Sequence, residues 1–145
     1  MNRLFLDANV LFTAAHNPDG KAAFLIHIAA AGRWQVVSCG YALEEVRRNL
    51  HRKFPDRLAN LDVLIEKLEQ VPAVHTGDCP IALRDKDKPI YQAALACGAT
   101  HLLTGDRRDF GPFMNAPEIT GGLIIQTVAD YLRAIAEGAT PLVSE

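Results

Sequence analysis

The sequence predicts an α/β fold in which parallel strands form one sheet covered by helices on both faces. Two observations lead there. Short runs dominated by Leu, Ile, Val and Phe alternate with segments whose apolar residues recur at helical spacing, and strands linked through helices pair in parallel by right-handed crossovers. The runs are also too short and too apolar to be half-solvated strands, as expected where both faces are shielded. A chain of 145 residues with 49% hydrophobic and 22% charged residues suits a single domain, residues 1–145, with a substantial core.

Leu4 to Leu6 read as the first strand, and the polar pair Asp7 and Asn9 interrupts the apolar segment where that strand should end. The carboxyl edge of such a sheet displays chemistry, which marks Asp7 as a candidate site residue. An Asp in this position also serves as an N-cap for the helix beginning near Asn9. A second helix spans about Lys21 to Ala31, preceded by the turn Asn17-Pro18-Asp19-Gly20 and stopped by Gly32. Trp34 to Val37 form the next strand, and Ser38-Cys39-Gly40 open a helix with Leu43, Val46 and Leu50 on one face and charges on the other. Pro55 interrupts it, after which Leu58, Leu61, Leu64, Ile65 and Leu68 keep helical spacing up to Pro72, giving a helical hairpin.

Val71 to Val74 are read as a short third strand and His75 to Pro80 as a loop. A helix follows from Pro89 and ends at Gly98, and His101 to Thr104 make a strand running into Gly105-Asp106, repeating the opening arrangement. Leu123 to Ile125 form the last strand, and a helix from about Thr127 to Glu137 closes the fold. There is no internal repeat and no low-complexity segment.

The formal net charge of −2 excludes a global positive field, so any nucleic-acid contact must come from local patches. Cys39, Cys79 and Cys97 lack zinc or redox spacing and read as small buried hydrophobes in a reducing compartment. With no signal-peptide core and no run long enough for a membrane span, the expected location is the cytoplasm.

If the strands end on one edge, Asp7 and Asp106 become neighbours, the helix opening at Gly40 brings Glu44 and Glu45, and Asp85-Lys86-Asp87-Lys88-Pro89 can deliver a further acid. Several carboxylates in one place cannot all stay ionised and unpaired without a large repulsive cost, so a cation is expected among them. Oxygen donors with no His or Cys at ligand spacing favour Mg²⁺ or Mn²⁺. Such ions, with waters on the open side, suit phosphate-ester hydrolysis.

The segments Leu6-Asp7-Ala8-Asn9-Val10-Leu11, Leu43-Glu44-Glu45-Val46-Arg47-Arg48-Asn49-Leu50, Lys86-Asp87-Lys88-Pro89-Ile90 and Leu103-Thr104-Gly105-Asp106 resemble the ordered acidic motifs of PIN-domain ribonucleases, many of which are toxins of the VapC kind. The closing Gly122-Leu123-Ile124-Ile125 strand and its helix are similar too. This resemblance implies a three-layer α/β/α sandwich with a short central parallel β-sheet, Mg²⁺ or Mn²⁺ in an acidic pocket, endonucleolytic cleavage of RNA, a cognate antitoxin and a homodimer. It makes Asp7, Glu45, Asp87 and Asp106 the catalytic, metal-binding acids, with Asn9 supporting the site from beside Asp7. Asp87 precedes the helix-opening Pro89 by two residues, and its nineteen-residue separation from Asp106 fits the family layout better than Asp85 does. Glu45 is followed directly by apolar Val46, yet Glu44 stays a competitor because helical periodicity does not choose between them.

Thr104 is placed to hydrogen-bond a metal ligand, although a strand-end Thr needs no such role. Asp109, one helical turn after Asp106, is either a fifth carboxylate or an exposed charge and is assigned a secondary role. Arg107 and Arg108 adjoin Asp106 and are the candidates for substrate contact. Arg47, Arg48, Arg52, Lys53 and Arg57 are read either as phosphate-positioning groups or as solvated helix faces whose pairs, such as Glu44 with Arg48, contribute about 0.3–0.5 kcal/mol each. The five histidines carry no recognisable catalytic spacing. Tyr41, Phe54, Phe110 and Phe113 either stack on unpaired bases or pack internally, and burial distinguishes these. A metal-dependent endoribonuclease is therefore expected first and a non-catalytic PIN-fold module binding RNA or a protein second. A phosphotransfer enzyme of the haloacid-dehalogenase kind would need Asp where Asn9 stands.

Overall fold

The computed structural model describes residues 1–73 and 79–138. Its elements follow the order β1 (Arg3–Leu6), α1 (Ala8–His16), α2 (Lys21–Ala29), β2 (Gln35–Cys39), α3 (Gly40–Lys53), α4 (Leu58–Ile65), β3 (Glu69–Val71), α5 (Lys88–Ala96), β4 (His101–Leu103), β5 (Ile124–Gln126) and α6 (Val128–Ala136). Single 3₁₀ turns at Pro55–Arg57 and Gly111–Phe113 join them. All five strands are parallel, in the order β3-β2-β1-β4-β5, and helices flank the sheet as the sequence predicts. The chain builds the sheet outward from β1 in one direction through β2 and β3, then in the other through β4 and β5. The crevice where the order reverses lies between the carboxyl ends of β1 and β4, the place where open α/β sheets bind ligands.

The core is densest around β1, where Leu4, Phe5 and Leu6 have no exposure. α1 packs against α2, α3 and α4, while α5 packs on β2 and β4. Cys39 is buried, Cys79 and Cys97 are half-buried, and all three are free thiols. Phe110 is fully buried, which removes it as a base-stacking surface. Gly98, at φ 75°, ends α5 in the left-handed region that glycine adopts without strain.

The third strand lies two residues earlier than expected. α4 stops at Ile65, the N–H groups of Lys67 and Leu68 donate three residues back to Leu64 and Ile65, and Glu69–Val71 then pair with Val37–Cys39. This is a sheet edge with Glu69 and Gln70 exposed, so it carries no apolar run to announce it. It is anchored by Arg3, whose guanidinium donates two hydrogen bonds to Glu69 at 2.7 and 3.0 Å. α2 ends two residues sooner than Ala31, and the last strand is displaced one residue onward to Ile124–Gln126. Val74, and residues 75–78 of the expected loop, lie outside the described residues.

At the amino end of β4, opposite the acids, His101 is fully buried. Its Nδ1 is 2.8 Å from the Thr100 hydroxyl, and its ring meets Tyr131 edge-on at 4.9 Å. Tyr131 accepts a hydrogen bond from Asn2 at 2.7 Å and meets Trp34 at 5.4 Å. Burial pushes the His101 imidazole down to about 4. The unfolded ring protonates near 6.5, so this residue's contribution is present above that value and is lost as pH falls toward 4. The loss amounts to about 3 kcal/mol. Urea unfolding at a series of pH values checks this: the stability of the wild type relative to His101→Phe falls by about 3 kcal/mol from about pH 6.5 to 4, and a difference that does not change with pH contradicts the assignment.

Candidate active site

Asp7 stands at the crevice between β1 and β4, only 6% exposed. Its Oδ1 accepts the Ala8 N–H at 2.7 Å, capping α1. Its Oδ2 accepts the Thr104 hydroxyl at 2.8 Å and the Asn9 amide at 3.2 Å. The capping role considered for Asp7 is thus met by one oxygen, and the other is held by Thr104 and Asn9. Asn9 also donates to Thr104 Oγ1 at 3.2 Å and accepts the Gly105 N–H at 2.7 Å, and a Cβ at Gly105 would come within 3.3 Å of the Asn9 oxygen. Thr104 Oγ1 in turn accepts the Asp106 N–H at 3.1 Å. One hydrogen-bonded chain thus fixes the end of β1, the start of α1 and the loop after β4.

Burial raises the Asp7 carboxyl to about 6, with Asp87 and Glu45 adding to the rise and the Thr104 and Ala8 hydrogen bonds opposing it. Asp87 is also 6% exposed, and burial raises its carboxyl, the Asp106 and Asp109 charges reinforcing the shift while Lys86 and Arg84 oppose it. Its Oδ2 has no hydrogen-bond partner. The nearest cation is the Arg84 guanidinium at 3.6 Å, which sits closer to Asp109, at 2.8 Å.

One carboxylate oxygen from each of Asp87, Asp106 and Asp109 lies within 4.8 Å of the others. Asp109 accordingly belongs to the acidic cluster rather than beside it. The cause is local: Asp106 Oδ1 accepts the N–H groups of Arg108 and Asp109 at 3.1 and 3.0 Å, which curls the loop so that both carboxylates turn the same way. Asp85 points away, fully exposed and paired with Lys88.

A cavity of about 660 Å³ opens over this edge, with Asn9, Glu45, Lys86 and Asp106 in its lining. Glu44 is exposed and pairs with Arg48 at 3.7 Å, so of the two helical acids only Glu45 faces the cavity. Arg47 pairs with Asp62 at 3.2 Å, which supports the solvated-face reading of that patch. Arg107 and Arg108 are exposed, and among the described residues neither guanidinium pairs with an acid. Arg84 pairs with Asp87 and Asp109, and Lys86 lines the cavity, its carbonyl accepting a hydrogen bond from the Tyr41 hydroxyl at 2.9 Å.

The donor set fits a hard divalent cation. It consists of carboxylate oxygens alone, it includes one buried oxygen without a hydrogen-bond partner, and the charges of Asp106 and Asp109 help to raise the Asp87 carboxyl, which is the signature of missing positive charge.

A family model of the PIN domain matches residues 3–108, and the chain belongs to the PIN-domain family. Its fold is similar to a chain of VapBC2 from Rickettsia felis, solved bound to a DNA fragment from their promoter, at 16% identity over 86% of this chain and 98% of that one, with a TM-score of 0.61. It is similar also to a chain of VapBC-1 from nontypeable Haemophilus influenzae, at 13% identity over 88% and 98%, with a TM-score of 0.55. No curated protein matches the chain by sequence.

An acid with a raised folded pKa contributes its stability below the unfolded value near 4 and loses it as pH climbs through about 6. In EDTA at pH 7.5, Asp7→Asn is therefore expected to be more stable than the wild type by about 1–3 kcal/mol, and equal to it near pH 4, by urea unfolding. Destabilisation at pH 7.5 would contradict the charge-crowding account. Because His101 contributes a slope of opposite sign over nearly the same range, each effect is read as the difference between wild type and variant at every pH.

Proposed function

We propose that this chain is an endoribonuclease dependent on Mg²⁺ or Mn²⁺, the toxin of a type II toxin–antitoxin pair, acting in the cytoplasm as a homodimer held in check by a cognate antitoxin. The observation that carries the catalytic reading is the buried Oδ2 of Asp87, which accepts no hydrogen bond, set beside Asp106 and Asp109. Family membership and the likeness to VapBC chains support the rest.

Asp87, Asp106 and Asp109 would hold the ion, with Asp7 and Glu45 completing its acidic surroundings. When bound, the ion supplies Lewis-acid chemistry: it activates water and neutralises the oxygens of the phosphodiester. The chain's own groups prepare the place. Thr104 and Asn9 lock the Asp7 carboxyl in one rotamer, so the one lone pair left on Oδ1 is presented without reorganisation. Arg84 holds Asp109 and Asp87 against their mutual repulsion. Lys86, together with the exposed Arg107 and Arg108 at the rim, attracts and positions the phosphates of the substrate strand, a contact that fixes register without reading sequence.

Purified protein is expected to cleave RNA with Mn²⁺ and to stop in EDTA, in Asp7→Asn and in Asp87→Asn. Mn²⁺ at a hundred times its Kd raises stability by about 2.7 kcal/mol, a shift that Asp87→Asn abolishes. Cleavage that survives both substitutions, or a wild type indifferent to millimolar Mn²⁺, would overturn the assignment and leave a non-catalytic PIN-fold module.

A further inference from the structure

The acidic crevice has a smaller neighbour. A second cavity of about 220 Å³ is lined by Phe12 and Thr13 of α1, Asn49 and Lys53 of α3, and Asn9 and Glu45. Asn9, Thr13 and Glu45 also line the larger cavity, so the two meet beside Glu45. Their chemistries differ. The larger is flanked by Lys21 and Lys86 and by the first turns of α2 and α6, and the start of a helix favours anions. The smaller adds an aromatic ring and a carboxamide to its lysine, and these are groups that bind a nucleobase.

The ring is held in place. Phe12 is half-buried and contacts Phe54 and His16 at centroid distances of 6.0 and 6.1 Å, while those two stack on each other at 4.1 Å. The Lys53 ammonium lies 5.8 Å from the Phe12 centroid. The Asn49 oxygen accepts from Arg52 at 3.2 Å, and its NH₂ group has no hydrogen-bond partner among the described residues. The volume is below the roughly 300 Å³ of pockets that take drug-sized ligands, which suits a single planar ring.

We infer that this smaller cavity receives one unpaired base of the substrate strand, adjacent to the scissile phosphate, with Phe12 as its wall and Asn49 and Lys53 donating to its edge. The inference rests on the ribonuclease reading above and narrows it. A base in a duplex is stacked and paired within the helix, whereas a single strand or loop can splay a base sideways into such a recess. The strand then runs from the lysine-flanked groove across the acids, and cutting requires an unpaired nucleotide at the site.

The test uses the full chain with Mn²⁺ and RNA oligonucleotides carrying one cleavage site, left unpaired, enclosed in a duplex, or bearing an abasic nucleotide on either side of the cut. Deleting the base on one side lowers kcat/KM roughly five- to a hundredfold, the range of base–aromatic stacking, and deletion on the other side has little effect. Phe12→Leu, which keeps an apolar side chain against α3, shows the same loss on intact RNA and loses little more on the abasic strand. Asn49→Ala, a change near the surface, tests the edge contact independently of the ring and also blunts the abasic effect. Equal cutting of duplex and single strand, a flat abasic series, or variants with unaltered abasic sensitivity overturn the inference. If the wild type cuts no RNA at all, the ribonuclease reading fails first; fluorescence-anisotropy binding of the same abasic series then judges the cavity alone, and a flat series there overturns it as well.

Discussion

The hydrogen bond from the Thr104 hydroxyl to Asp7 Oδ2, 2.8 Å long, is the interaction on which the working edge of this fold depends. It joins the ends of two strands that are adjacent in the sheet but 97 residues apart in the chain. Through the other Asp7 oxygen it is continuous with the start of α1, and through the Asp106 N–H with the loop that carries Asp106 and Asp109. Asn9 closes the circuit by bonding Asp7, Thr104 and Gly105 at once. A carboxyl group held from several directions has little rotamer freedom left to lose when a ligand arrives, which is how a binding site is preorganised.

That constraint opposes stability. Each hydrogen bond to an ionised acceptor is worth about 1.5–3 kcal/mol, yet burial beside Asp87 and Glu45 still leaves Asp7 with a carboxyl raised to about 6. Desolvation and like charge outweigh the bonds that favour the anion. Asp87 is raised for the same reasons. Arg84 answers only part of the deficit, since its closer contact is with Asp109. An arrangement in which neighbouring acids disfavour each other's ionised forms is costly as a structural device and sensible as a cation site. The PIN-domain assignment and the geometry meet on this point.

Much of the site was legible in the sequence because position in an α/β fold follows from local pattern. Asp7 and Asp106 each end an apolar run, and the Pro89 helix start fixes Asp87 at its mouth. What the sequence lacked was tertiary orientation. Glu44 and Glu45 are one residue apart, about 100° around the helix, and only the packing of Leu43, Val46 and Leu50 inward decides which one faces the crevice. Asp109 was read on helical spacing, whereas an irregular loop bonded to Asp106 places it in the cluster. The edge strand was expected at Val71 to Val74 and lies at Glu69–Val71 because its exposed residues carry no apolar signature to fix its start, and the strand order that puts the crevice between β1 and β4 is not written in any local segment. Arg107 and Arg108 adjoin Asp106 in sequence and are exposed, whereas the ion pairing of Arg84 with Asp87 and Asp109 joins segments that no local pattern connects.

A crystal soaked in Mn²⁺ and measured at the manganese edge tests the central claim most directly. Anomalous density is expected among the carboxylates of Asp87, Asp106 and Asp109, beside Asp7, and is expected to vanish in Asp87→Asn. Density confined to other surface acids, or none at millimolar Mn²⁺ in well-ordered crystals, would contradict the reading of this crevice as a metal centre.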